Sequence, residues 1–271
     1  MRGAGPLAGP LSRMREAYGP PLLLSAVLLI LWQVAADRIQ MGHILPGPLQ
    51  ILQRTWELRQ SLFFHHLPPT LLTIVCGWAL SVSIGVALAM LMHFSAAMEA
   101  ALHPALVITQ TIPTVALAPI LILWLGYEME PKIALVVLTT FFPIAVSLLD
   151  GYRSVDDDEI RLLRSIGANR LQVFFTIKFP AALGSFFSGL KISASYAIVG
   201  AVISEWIGGF EGLGVYMTRV RKAYAFDKMF AVIIFISVIS LVLMGVISII
   251  EKSSMPWKRK AVSRTRRAWM V

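Results

Sequence analysis

An all-α integral membrane protein of about six transmembrane helices, with a two-helix loop on the cytoplasmic side, is what this sequence predicts. Three observations carry that prediction. Hydrophobic residues make up 57% of the 271 and charged residues only 14%, a balance that excludes an ordinary soluble domain. Six apolar runs approach the ~20 residues that a helix rising about 1.5 Å per residue needs to cross a hydrocarbon core roughly 30 Å thick. One polar island, Asp150 to Leu183, interrupts them.

The runs extend from Pro21 to Ala36, Thr70 to Met92, Leu102 to Gly126, Ile133 to Leu149, Gly184 to Ile207 and Met229 to Ile250. Pro104, Pro113 and Pro119 fall in the third, which predicts a kinked or broken helix there. Lys and Arg number fifteen on the segments placed inside by an inward N-terminus and eight on those placed outside, so both termini and the polar island are expected in the cytoplasm. The outermost loop, with Arg219, Arg221, Lys222 and Lys228, is more basic than that rule favours. Residues 1–20 then form a cytoplasmic N-terminal segment, 21–250 the transmembrane domain with its loop at 150–183, and 251–271 a basic cytoplasmic tail. Arg2, Arg13 and Arg15 ahead of an apolar run and Val34-Ala-Ala36 also fit a signal peptide, but an uncleaved first span accounts for the same residues. The net charge of +9 is read as topology, not as a nucleic-acid footprint, because no soluble domain carries it.

Within the polar island, Asp156, Asp157, Asp158 and Glu159 place negative charge where a helix N-terminus favours it, with Ser154 and Asp157 at cap spacing. Gly167 ends that helix with a residue free to take left-handed dihedrals. Asn169, with Gln172 three residues on, opens a second helix, and Pro180 is expected to close it. The expectation is two short helices joined at an elbow on Gly167.

Gly167, Ala168, Phe174, Phe179, Pro180, Ala181 and Ala182 fall in register with the cytoplasmic signature of the membrane subunits of binding-protein-dependent ATP-binding-cassette (ABC) importers, and the chain resembles that family. The family's Glu-Ala-Ala appears here as Arg161-Leu162-Leu163. The resemblance continues through Gln110 to Gly126, Gly189 to Ser193 and Gly208 to Gly214. It implies that Arg161, Leu162, Leu163, Gly167, Ala168, Leu171, Phe174, Phe175 and Pro180 couple the chain to a dimer of ABC ATPase subunits. It implies further an extracytoplasmic solute-binding protein, a permease homodimer in the lipid of a prokaryotic cytoplasmic membrane, and ATP and magnesium used by the ATPase, with no cofactor on this chain. The subfamily it looks most like handles nitrate, sulfonates, taurine and vitamin precursors, and Glu205 to Arg219 is most similar to permeases for a thiamine pyrimidine precursor.

The residues themselves point the same way. No glycine-rich loop ends in Lys-Ser/Thr, so ATP hydrolysis is not expected of this chain, and no catalytic constellation or metal ligand set is legible. His43, His65, His66, His93 and His103 lie at span ends or in loops, where solvated or interfacial histidines are expected. Lys191 and Glu205 are the ionisable residues inside a span. They sit fourteen residues apart, too far to pair with each other on one helix. Lys191 reads as structural, while Glu205 reads either as part of the translocation path at the outer mouth or as a helix-end hydrogen-bonding group. Thr111, Pro113 and Thr114 either line that path through an unwound turn or merely kink a packed helix. Gly189, Ser193, Ala197 and Ala201 recur at a spacing that admits a close helix neighbour, in this subunit or a second one. Residues 214 to 226 read as an interfacial helix or a receptor contact. A stand-alone secondary transporter or channel is the alternative to an importer subunit, and a membrane-embedded enzyme a third class, but paired acids at the midplane and a polar catalytic cluster are both missing.

Overall fold

Apolar runs become helices because a backbone in hydrocarbon has to satisfy its own hydrogen bonds. The computed structural model describes residues 10–39 and 45–257, so most of the expected basic tail and His43 lie outside the described residues. Among the described residues the helices are α1 (Pro10–Ile39), α2 (Pro48–Ser61), α3 (Leu67–Phe94), α4 (Ala96–Thr109), α5 (Thr114–Leu125), α6 (Glu130–Arg153), α7 (Asp157–Ser165), α8 (Arg170–Val173), α9 (Phe179–Gly208), α10 (Leu213–Lys222) and α11 (Phe226–Ser254). Two π-helical turns, Leu62–His66 and Phe174–Lys178, precede α3 and α9. Among the described residues five stretches are long and apolar enough to cross a membrane, and α4 with α5 passes the same test only as a bent pair, a broken span or a re-entrant loop.

The chain divides into two compact units. One takes in α1, α2 and the described residues of Arg219–Ile234. There Arg54 Nε donates to Asp227 Oδ2 at 2.7 Å, and Trp32 packs its ring 6.4 Å from that of Phe230. The other runs over Gln60–Thr218 and from Phe235 onward, and its core is α6 held between α3 and α9.

Small residues set how closely those three helices approach. Gly189, Ser193, Ala197 and Ala201 are all buried, and a Cβ on Gly189 would lie 2.8 Å from the Pro143 carbonyl oxygen of α6. The predicted small-residue stripe of α9 therefore packs inside this chain. Ser193 Oγ also accepts the Trp78 indole N–H of α3 at 2.8 Å, so the stripe carries a polar tie as well as contact area. Ser81 and Thr139 return their hydroxyls to their own helices, to Gly77 O at 2.8 Å and Leu135 O at 3.1 Å, the usual solution for a hydroxyl removed from water.

The third span is broken rather than gently bent. α4 and α5 meet at 98° across residues 110–113. Pro113, with φ −61° and ψ 120°, stands as the N-cap of α5, while Pro104 and Pro119 sit inside helices. A proline disfavours helical dihedrals at the residue before it and offers no N–H to the turn; Pro104 and Pro119 are absorbed within their helices, but at Pro113 the chain takes extended dihedrals, so one helix stops ahead of it and the next starts after it.

Candidate functional site

The α7–α8 elbow is built from local capping. Asp156 caps α7 by accepting the Asp158 N–H at 3.0 Å, and three further acids fill the first turn against the helix dipole. Neither expected position is the cap: Asp157 is the first residue of α7, and Ser154 gives its hydroxyl to Gly151 O at 2.8 Å. Gly167 turns the chain at φ +91°, with its N–H on Arg164 O at 3.0 Å and the Ala168 N–H on Leu163 O at 3.1 Å. Asn169 then opens α8 with a full capping box, its side chain accepting the Gln172 N–H at 2.8 Å while Gln172 accepts the Asn169 N–H at 2.7 Å.

Two sequence expectations about this loop need correcting. Pro180 does not close the second helix: α8 runs through the π turn into α9, so the elbow joins one short helix to the foot of a span. A proline lacks the N–H of a normal i−4 bond, and a π turn just before it, with the Phe179 N–H reaching back to Phe174 O, shifts the ladder so that the helix continues. Phe174 also does not face outward. It is 5% exposed, and its ring sits 5.5 Å from His93, 5.2 Å from Phe94 and 5.2 Å from Tyr152, in a socket made by the ends of α3 and α6. One residue along the helix, about 100° round, Phe175 points out.

Leu162, Ile166, Leu171 and Phe175 are between 58% and 75% exposed, and together they make an apolar surface around the elbow. Of these, Ile166 was not anticipated, although an isoleucine beside a turn glycine in a polar island was the signal available. Arg161 is exposed with Asp158 3.8 Å away, Leu163 and Ala168 are half-buried, and Pro180 is partly covered.

At the other end of α9, Glu205 is 2% exposed. Its Oε2 accepts the Gly214 N–H at 2.7 Å, Thr70 of α3 is its side-chain partner, and Thr70 Oγ1 in turn accepts the Leu213 N–H at 2.9 Å. The Glu205 side chain thus holds the opening turn of α10 against α3 and α9, giving a buried helix N-terminal N–H its acceptor. Gly212, at φ +124°, makes this possible, since a Cβ there would fall 2.3 Å from the Glu205 carboxyl carbon. Thr111 and Pro113 are exposed at the broken span and Thr114 is half-buried, with the Thr111 hydroxyl on Ile108 O at 2.8 Å. Lys191 is paired with Glu251 of α11, a partner sixty positions away that no local pattern could reveal. Among the described residues no group of His, Cys, Asp or Glu could hold a metal ion.

The fold is that of a polytopic helical membrane protein with an exposed α7–α8 elbow between two spans, and comparison with known proteins gives its family. The chain belongs to the family described as binding-protein-dependent transport system inner membrane component, matched over residues 81–255. It is therefore the permease subunit of an ABC importer and a multi-pass protein of the cytoplasmic membrane. It is 40% identical over 249 residues to the formylaminopyrimidine transport permease protein ThiX of Halalkalibacterium halodurans, covering 91% of this chain and 100% of that one. It is 29% identical to a putative aliphatic sulfonates transport permease protein, SsuC of Bacillus subtilis, over 91% of this chain and 90% of that one. To the taurine transport system permease protein TauC of Escherichia coli it is 28% identical, over 86% and 87%. An inward-facing structure of the MetNI methionine ABC transporter shares the fold at a TM-score of 0.60 with 16% identity, covering 68% of this chain and 92% of that one.

Proposed function

We propose that this permease moves a thiamine pyrimidine precursor of the formylaminopyrimidine type, with nitrate, sulfonates and taurine as the rival solutes. The 40% identity to a formylaminopyrimidine permease along that protein's whole length supports the solute, against 28–29% for the sulfonate and taurine permeases. Two copies of the chain work with two ATPase subunits that bind ATP and magnesium and with an external binding protein that delivers solute. The observation that carries the mechanism is the pairing of exposed Leu162, Ile166, Leu171 and Phe175 with buried Phe174. The exposed residues meet the ATPase. Phe174, seated against His93, Phe94 and Tyr152, passes the ATPase motion to the inner ends of α3 and α6. Because close-packed aromatic contacts resist compression, a rigid shift of the elbow moves the helix ends with it, opening the pathway outward when the ATPase dimer closes. Thr111, Pro113, Thr114 and Glu205 belong to the outward half of that pathway, the first three as its lining and Glu205 by holding the loop at its mouth.

Reconstitution in liposomes tests this reading. Uptake of radiolabelled formylaminopyrimidine is expected only with ATP and magnesium, the ATPase and the binding protein all present. Uptake that proceeds without the ATPase would make the chain a stand-alone carrier, and uptake of taurine in place of the pyrimidine would reassign the solute.

A further inference from the structure

We infer that a polar cleft between the cytoplasmic halves of α6 and α9 is an inner solute subsite whose charge selects a neutral or cationic solute with N–H donors over an anion. The inference rests on the permease reading above and deepens it. The cleft measures about 380 Å³, the size of a small-molecule site. Ser147 and Asp150 of α6 form one wall, and Ala181, Gly184, Ser185 and Ser188 of α9 the other. The two helices touch on either side of it. A Cβ on Gly151 would lie 2.8 Å from Ala182 Cα, and one on Gly189 would lie 2.8 Å from Ser147 Cβ, so the walls are fixed by backbone contact and not by side-chain choice.

Its charge is that of an acceptor, Asp150, while the Ser147 and Ser185 hydroxyls can give or take a hydrogen bond. Ser188 gives its own hydroxyl proton to Gly184 O at 3.0 Å, which leaves its oxygen lone pairs to the cleft, and Asp150 adds a carboxylate. Asp150 stands exposed where the α6 span ends, so the cleft opens to water at the border of the apolar runs. The cations nearby are engaged. Arg153 is bonded to Glu99 and stands 3.9 Å from Asp150, so these two acids and one base carry a net charge of −1. Lys191 is held by Glu251, and Lys178 lies toward His93, Asp157 and Arg164 of the elbow. Among the described residues no cation lines the cleft. A nitrate or sulfonate would meet a net negative field there, whereas the amino and ring groups of an aminopyrimidine find acceptors.

The test uses Ser188→Cys in a Cys76→Ser background, assembled in nanodiscs with its ATPase and binding protein. The thiol is reacted with methanethiosulfonate reagents bearing a trimethylammonium or a sulfonate group, each rate corrected for that with free cysteine. The cationic reagent is expected to react about tenfold faster, as a unit charge a few ångströms away in a half-hydrated site requires, and adding Asp150→Asn should bring the ratio near unity. Formylaminopyrimidine should slow the labelling and taurine should not. Equal rates, a ratio indifferent to Asp150→Asn, protection by taurine, or a thiol that neither reagent reaches because a second copy or lipid covers it would each overturn the subsite. Uptake by the complex without the serine substitution is measured alongside. Formylaminopyrimidine uptake without charge-dependent labelling refutes the subsite alone, whereas charge-dependent labelling without that uptake refutes the solute named above and leaves the charge preference standing.

Discussion

Replacing Gly167 by valine should weaken ATPase docking by a calculable amount without harming the spans. The residue sits at φ +91° with nothing within 4 Å of the place a Cβ would occupy, so the cost is backbone strain alone. A side chain in left-handed dihedrals costs about 1–2 kcal/mol, and a β-branched one lies toward the upper end. Since every 1.4 kcal/mol is about tenfold, the ratio of native to strain-relieved elbow falls roughly five- to thirtyfold. An ATPase that binds only the native elbow then shows an apparent affinity reduced by up to the same factor. In a titration of the reconstituted permease with ATPase, the midpoint for solute-stimulated hydrolysis should therefore move higher, by more than twofold and at most about thirtyfold. Hydrolysis at saturating ATPase should recover, and expression should stay near normal. Gly126, at φ +86° and equally open, supplies the control, because valine there strains an external turn that the ATPase does not meet. A midpoint moved less than twofold by Gly167→Val, or moved as far by Gly126→Val, would refute the reasoning.

Three further outcomes follow from the same geometry. Phe174→Ala empties a buried socket and should lower the thermal stability of the solubilised permease, at about 3–5 kcal/mol for a lost core ring, while Phe175→Ala on the exposed side should weaken ATPase affinity and leave the melting temperature unchanged; equal melting shifts for the two would erase the distinction. Glu205→Ala strips the partner from the Gly214 N–H and should loosen residues 208–214 by about 1–3 kcal/mol, seen as faster hydrogen exchange at Gly214, whereas Glu205→Gln keeps an acceptor and should keep most of the protection. Cysteines introduced at Asn169 and Tyr224 in a Cys76→Ser background should label from opposite sides, Asn169 from the cytoplasm only, and external labelling at Asn169 would invert the topology.

What the sequence alone determined is what depends on residues within a few positions of one another. Run length places a helix in hydrocarbon because the backbone there has no other hydrogen-bond partner, so the spans were legible, the sixth as a proline-broken pair. Asn169 with Gln172, and Gly167 two residues before, are equally local, and the structure contains both the capping box and the positive φ. Other features were decided only when helices met. Whether Phe174 or Phe175 turns inward depends on where α3 and α6 end, and Pro180 continues a helix because a π turn precedes it. Lys191 found Glu251, and Glu205 found Thr70 and Gly214, across separations that no spacing rule spans. A charged or aromatic side chain in a membrane protein takes whichever partner relieves the cost of leaving water, and only the packed structure says which partner is within reach.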